Sequence, residues 1–316
     1  MLQNWGLAAA ALCLLALATV AGQWLRKHDS AALDRRTVDA FNARVQAWWF
    51  FSLLMACGFF SPALTIALFG LLSFWALREF VTLTPTRIGD HRALFWVFFF
   101  FTPMQFVLVA TDDYGLFSVL IPVYAFLFIA ARSALSGDYD RFLERIAKVQ
   151  CGLMLCVYCL SFAPALLNLR CLGAEQDAAR ARLLFFFVTI VLFADLLQWV
   201  WSAFYRQHPI AESIDANRSW EGVALGSACA GVLGAALVWA TPFHHWYQAA
   251  AMSILISLTA AAGSMTMAAV KRDRGEQVSG IFVEGHGGVL SRIDAICFAA
   301  PVFYHVTRYF FGSPTS

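Results

Sequence analysis

The sequence predicts an all-α fold, a polytopic integral membrane helix bundle with about ten transmembrane segments. Three observations predict it. Hydrophobic residues make up 60% of the chain and charged residues only 13%, against roughly 45–50% and about 25% in ordinary soluble domains. Apolar runs recur at about the 20-residue length a helix needs to cross hydrocarbon. The connections between them are short, with no internal repeat and no linker long enough to set off a soluble domain.

Taken in order, the first run is 5–25, WGLAAAALCLLALATVAGQWL. It lacks a basic n-region and exceeds the ~7–15 apolar residues of a signal-peptide core, so it is expected to be a retained first span. Residues 1–45 are then a first span with its basic loop, and 46–316 are the main membrane domain. The next runs, 47–61 and 62–77, meet at Ser61-Pro62, which must either divide two helices or kink one. Trp48-Trp49-Phe50-Phe51 ahead of that junction suits an interfacial anchor. Runs at 93–110, 114–131 and 149–168 each carry a proline (Pro103, Pro122, Pro164) and are expected to kink there. Runs at 183–204, 219–241, 245–270 and 293–311 complete the bundle. Most of the eight cysteines fall inside these runs, where a thiol packs as a small hydrophobe. Cys156 and Cys159 form a C-x-x-C without a second pair, and are expected to be core filler.

Basic residues orient the bundle. They gather in every second connection, around 26–44, 78–92, 132–148, 206–218 and 271–292, whereas the opposite side keeps Arg170, Arg180, Arg182 and Arg308 with the acidic Asp112-Asp113. By the positive-inside rule the basic loops are cytoplasmic and the N-terminus outside, as in a bacterial inner membrane. The formal net charge is +2 and its basic residues are scattered, which excludes nucleic acid as a partner.

Two stretches are too polar for their surroundings. One is 263–294, GSMTMAAVKRDRGEQVSGIFVEGHGGVLSRID. Lys271 and Arg272 at the end of a span could snorkel to headgroups. Gly285, Gly287 and Gly288 clear side chains from around His286, so backbone N–H groups can approach anionic oxygens, as a phosphate site requires. The plainer alternative is a tight turn with Asp294 capping the last helix. The other stretch is 194–222. Asp195 lies in an apolar run, where insertion costs ~2.5–3.5 kcal/mol, and is either functional or a brace for a nearby Arg or Lys. Arg218-Ser219-Trp220-Glu221-Gly222 can be read as a helix start, with Ser219 as cap and Glu221 at the positive end of the dipole.

In this order and spacing the two stretches resemble the phosphatidate cytidylyltransferases, or CDP-diacylglycerol synthases. That family's signature runs Ser-x-x-Lys-Arg-x4-Lys-Asp, then Pro-Gly-His-Gly-Gly-x-x-Asp-Arg-x-Asp, with an earlier Ser-Pro-x-Lys-Thr-x-Glu-Gly. Lys271-Arg272, Gly285-His286-Gly287-Gly288, Arg292 and Asp294 match it, as do Asp195, Glu221 and Gly222; Arg218-Ser219 stands for the family's Lys-Thr. The resemblance covers the chain from about residue 45 to the end. It implies transfer of a cytidylyl group from CTP to phosphatidate, giving CDP-diacylglycerol and pyrophosphate, and a homodimer. In family terms Lys271, Arg272 and Arg292 neutralise phosphates, and His286, Gly285, Gly287, Gly288, Arg218, Ser219 and Glu221 shape the substrate site. Asp195, Glu221 and Asp294 orient cations or hold Mg²⁺.

The pattern departs at acidic positions. Ser264, Val278 and Ser291 stand where the family has Asp, Glu284 replaces a Pro, and Asp215-Ala216 replaces Ser-Pro. A hydroxyl supplies an oxygen without charge, so Mg²⁺ binding is expected to be severely weakened unless the nearby Asp273, Glu276 and Glu284 compensate. Two functions remain open on the sequence: an enzyme of cytidylyl transfer, or a catalytically silent relative that binds lipid phosphate or nucleotide or supports a partner membrane enzyme. A transporter is disfavoured, because the polar groups crowd one membrane face rather than the midplane.

Overall fold

The computed structural model describes residues 61–312, apart from 85, 170–175, 206 and 275–287, together with scattered positions between 16 and 52. Labels below count elements within the long described stretch.

Helix α1 spans Pro62–Leu83 (22 residues). Ser61 caps it, its side chain accepting from Leu64 N at 3.3 Å, and Pro62 follows at the first turn, where a missing N–H costs nothing. The Ser61-Pro62 junction therefore starts a helix rather than kinking one, and 62–83 is long enough to span alone. Helices α2 (His91–Ala110), α3 (Tyr114–Ala134) and α4 (Phe142–Asn168) follow. Each contains one π turn, at Val97–Phe101, Leu120–Ala125 and Met154–Cys159. The turns lie at or before the three prolines, where the sequence expects kinks; a proline removes one i→i−4 bond and the local rewinding accommodates it. The Ser118 carbonyl, which Pro122 cannot engage, accepts the Tyr158 hydroxyl at 3.1 Å. In lipid such a freed carbonyl has no water to turn to.

Helix α5 (Gln176–Phe204) leads into an antiparallel hairpin, β1 (Pro209–Ala211) and β2 (Asp215–Ser219). Helices α6 (Trp220–Ala236), α7 (Trp246–Asp273) and α8 (Leu290–Phe311) complete the described chain. Among the described residues α1, α2, α3, α4, α5 and α7 hold the six segments long and apolar enough to cross a membrane. Helix α6 is shorter, and α8 carries Arg292, Asp294 and Arg308 and is not one of the six. Every apolar run from 62–77 onward emerges as a helix; the runs 5–25 and 47–61 fall mostly outside the described residues.

Helices α5, α6, α7 and α8 pack on one another in succession, and α8 also lies along α4, which packs on α1. Small residues let the backbones close in. A Cβ on Gly226 of α6 would stand 2.7 Å from Gln198 N of α5, and one on Gly263 of α7 would stand 2.6 Å from the Asp294 carbonyl of α8. Close approach of this kind replaces the hydrophobic drive that lipid does not supply. Cys156 and Cys159 sit in the π turn of α4 as free thiols, Cys156 fully buried. Among the described residues neither belongs to a metal-type cluster.

Alternating helices bring the α1–α2 and α3–α4 connections, the hairpin, the end of α7 and the start of α8 to one end of the bundle. At that end Arg145 binds Asp90 at 2.7 Å, both side chains 5% exposed, and reaches Asp138 at 2.9 Å. This pins the α1–α2 connection to the α3–α4 connection. At the other end the Arg308 guanidinium lies 3.4 Å from the centre of the Tyr114 ring.

Candidate functional site

The half-buried Asp195 of α5 meets the guanidinium of Arg218, whose Nη2 donates to Asp195 Oδ1 at 3.2 Å. Nη1 of Arg218 reaches Gln198 Oε1 at 3.3 Å and the Ala261 carbonyl at 3.4 Å. Gln198 continues to Ser257 Oγ at 2.8 Å, and Ser257 to Ser227 at 2.8 Å. A buried arginine thus closes a polar seam through α5, α6 and α7, which offsets the cost of placing Asp195 among apolar side chains.

The hairpin delivers Arg218 to this seam, and Ser219 fixes where the hairpin ends. Fully buried, Ser219 accepts from Gly222 N at 3.1 Å as the cap of α6 and donates to the Tyr205 carbonyl at 2.8 Å. Its backbone N–H donates to Ser202 Oγ at 3.2 Å. Glu221 pairs with the His208 ring, which holds the Glu221 carboxyl below its usual range. Of the sequence-predicted trio Arg218, Ser219 and Glu221, Arg218 is the one bonded to Asp195.

The second half of the site comes from the facing ends of α7 and α8. Lys271 Nζ, in the last turn of α7, donates to Ser291 Oγ of α8 at 2.6 Å. Arg272 Nε donates to the Ser213 carbonyl at 2.9 Å, tying α7 to the hairpin turn. Asp294, one turn into α8, lies in the electrostatic fields of Asp195, Lys271 and Arg218. Asp195, Arg218, Lys271, Ser291 and Asp294 therefore converge from four elements. Arg292 is half-buried in the same first turn of α8, and Gly288 is buried just ahead of it. Gly285, His286 and Gly287 lie outside the described residues, as do Val278 and Glu284.

Asp294 does not cap α8, correcting that alternative: the cap residue is Val289, no side chain of its own bonding the helix start. Glu79 of α1 takes that place, Leu290 N donating to Glu79 Oε2 at 3.2 Å. Sequence reasoning missed Glu79. The signal was present, since an ionisable side chain near the end of an apolar run deserves the reading given to Asp195.

The acids and serines of the site test the Mg²⁺ that the resemblance implies. Among the described residues no three His, Cys, Asp or Glu side chains gather to hold a metal ion. Asp195 already accepts from Arg218, and Ser291, standing where the family has an acid, receives the Lys271 ammonium. Ser264 sits half-buried on α7 without a charge to offer. A hard divalent cation needs carboxylates and substrate oxygens; the described residues that gather here supply two carboxylates, Asp195 and Asp294, while Glu276 and Glu284 lie outside the described residues. The arrangement suits anionic oxygens: two cations, Arg218 held by Asp195 and Lys271 held by Ser291.

Residues 42–310 match a family described as the cytidylyltransferase family. An Escherichia coli protein called "Uncharacterized protein YnbB" is 29% identical over 299 residues, 94% of this chain and 95% of that one. The phosphatidate cytidylyltransferase of Rickettsia typhi is 27% identical over 144 residues, 43% of this chain and 62% of its own length. That of Synechocystis sp. is 38% identical over 81 residues, 25% of this chain and 27% of its own. The match thus spans less than two thirds of either phosphatidate cytidylyltransferase.

Proposed function

Because the chain belongs to the cytidylyltransferase family, we propose that it transfers a cytidylyl group from CTP to phosphatidate, giving CDP-diacylglycerol and pyrophosphate. The observation that carries this reading is the meeting of Asp195–Arg218 with Lys271–Ser291 and Asp294 at one end of the bundle. The substrates are inferred from the relatives' names. In this reading the site faces the cytoplasm of a bacterial inner membrane, as the basic connections argue. Phosphatidate keeps its tails in the bilayer and raises its phosphate to the ends of α7 and α8. Dimerisation rests on the resemblance alone.

In the reaction a phosphate oxygen of the lipid forms a bond to the α-phosphorus of CTP while the bond from that phosphorus to the bridging oxygen breaks. The electron pair leaves with pyrophosphate. Both reactants are anions, so most of the catalytic work is neutralising and aligning them. Lys271, Arg218 and Arg292 take the neutralising role. Asp195 and Asp294 hold the cations in register.

The test is turnover by purified protein in detergent, with and without Mg²⁺ or Mn²⁺. CDP-diacylglycerol formed from CTP and phosphatidate, and lost in His286→Ala, supports the reading. A second reading is favoured by Ser264 and Ser291, which stand at family acid positions: a silent relative that binds phosphatidate without turning it over. It predicts no product at any metal concentration and retained phosphatidate binding.

A further inference from the structure

Glu79 is a buried carboxylate with an unfinished set of partners. It is 6% exposed; Oε2 accepts from Leu290 N at 3.2 Å, and Oε1 has no hydrogen-bond partner among the described residues. A carboxylate held this way in an apolar bundle is costly. The helix cap does not require it, because a neutral amide would offer Leu290 the same acceptor. What the charge adds lies at the same turn: Glu79 binds the backbone of Leu290 and the Lys271 ammonium, with three donors, spends one on the next residue, Ser291. Helix α1 thus reaches the junction of α7 and α8, joining the first half of the bundle to a site otherwise built from the second.

We infer that Glu79 is a positioning residue of the phosphate site: it anchors the first turn of α8 and holds the Lys271 ammonium against that turn. The inference rests on the function proposed above. Glu79→Gln keeps the acceptor for Leu290 and removes the charge. It lowers kcat between ~10- and ~100-fold, the scale of a small misplacement of a reacting group, and leaves KM for phosphatidate within about twofold, since the anion-binding cations remain. Glu79→Asp, which retains the charge, recovers part of kcat.

A measurement free of turnover accompanies this. Melting temperatures of wild type, Glu79→Gln, Lys271→Gln and the double variant form a cycle. The double variant is expected to lose less than the two single losses added together. Additive losses, or Glu79→Gln with wild-type kcat per folded molecule, would overturn the inference. A lowered melting temperature with unchanged kcat would reduce Glu79 to a structural cap and also overturn it. A wild type without turnover removes the proposed reaction, and the cycle then decides alone whether Glu79 and Lys271 act as a pair.

Discussion

Lys271 Nζ stands 2.6 Å from Ser291 Oγ, so an ammonium occupies the neighbourhood where the resembled family carries a metal-binding acid. Under the proposed function the site answers phosphate with its own cations, Arg218 and Lys271.

Restoring the acids should restore the metal. Ser264→Asp, Val278→Asp and Ser291→Asp together are expected to raise Mg²⁺ affinity by at least about tenfold, because added carboxylates are what a hard cation lacks here. Titration calorimetry on the purified variant measures it. Unchanged affinity would remove the explanation given for the serines.

Arg218 is expected to matter for folding before it matters for chemistry. Arg218→Ala removes the bonds to Asp195 and Gln198 inside the α5–α7 seam, costing about 1–3 kcal/mol for polar groups that lose this partner. Asp195→Asn in the same chain recovers part of the loss. Melting temperatures of the two variants check this, and a double variant no more stable than Arg218→Ala would contradict it.

Ser219 and Glu221 are expected to act on stability alone. Ser219→Ala loses the cap of α6 and the bond to Tyr205, worth about 1 kcal/mol, with kcat/KM per folded molecule unchanged. His208 lowers the Glu221 carboxyl, so the pair's contribution is present above the ordinary carboxylate range and lost as pH falls through the lowered value. Glu221→Gln should flatten that acid-side dependence in a pH series of melting curves.

Gly263 sets the spacing of α7 and α8. In Gly263→Ala the new methyl would stand 2.6 Å from the Asp294 carbonyl, so α8 must shift away from α7. Overpacking of this kind costs about 1–3 kcal/mol, and the shift also parts Lys271 from Ser291. Loss of turnover or phosphatidate binding with the helix content unchanged in circular dichroism is the expected result.

Much of the bundle was legible in the sequence because lipid permits few solutions: apolar runs of spanning length become helices, and Ser61-Pro62 reads as a helix start. Asp195 was legible for the same reason, as a charge in a place that penalises it, and Lys271 and Asp294 were legible through the motif they match. Three features were not. Hydropathy carries no register, so the π turns beside Pro103, Pro122 and Pro164 could not be told from simple kinks. Ser219 fits both a ligand contact and a cap, and its bond from Gly222 N shows the cap. Glu79 lies 211 residues from its partner Leu290, a pairing that only the packing of α1 near α8 creates.

The central claim is that Lys271 and its neighbours form one phosphate-binding site at the basic end of the bundle, and calorimetric binding of a short-chain phosphatidate tests it under either functional reading. Lys271→Ala is expected to weaken binding at least about tenfold, the scale of one lost charge-assisted hydrogen bond. Arg87→Ala removes a cation at the same end that is paired with Asp138 and Asp140, and should leave binding within about twofold. Wild-type affinity in Lys271→Ala, or equal losses in both variants, would contradict the account.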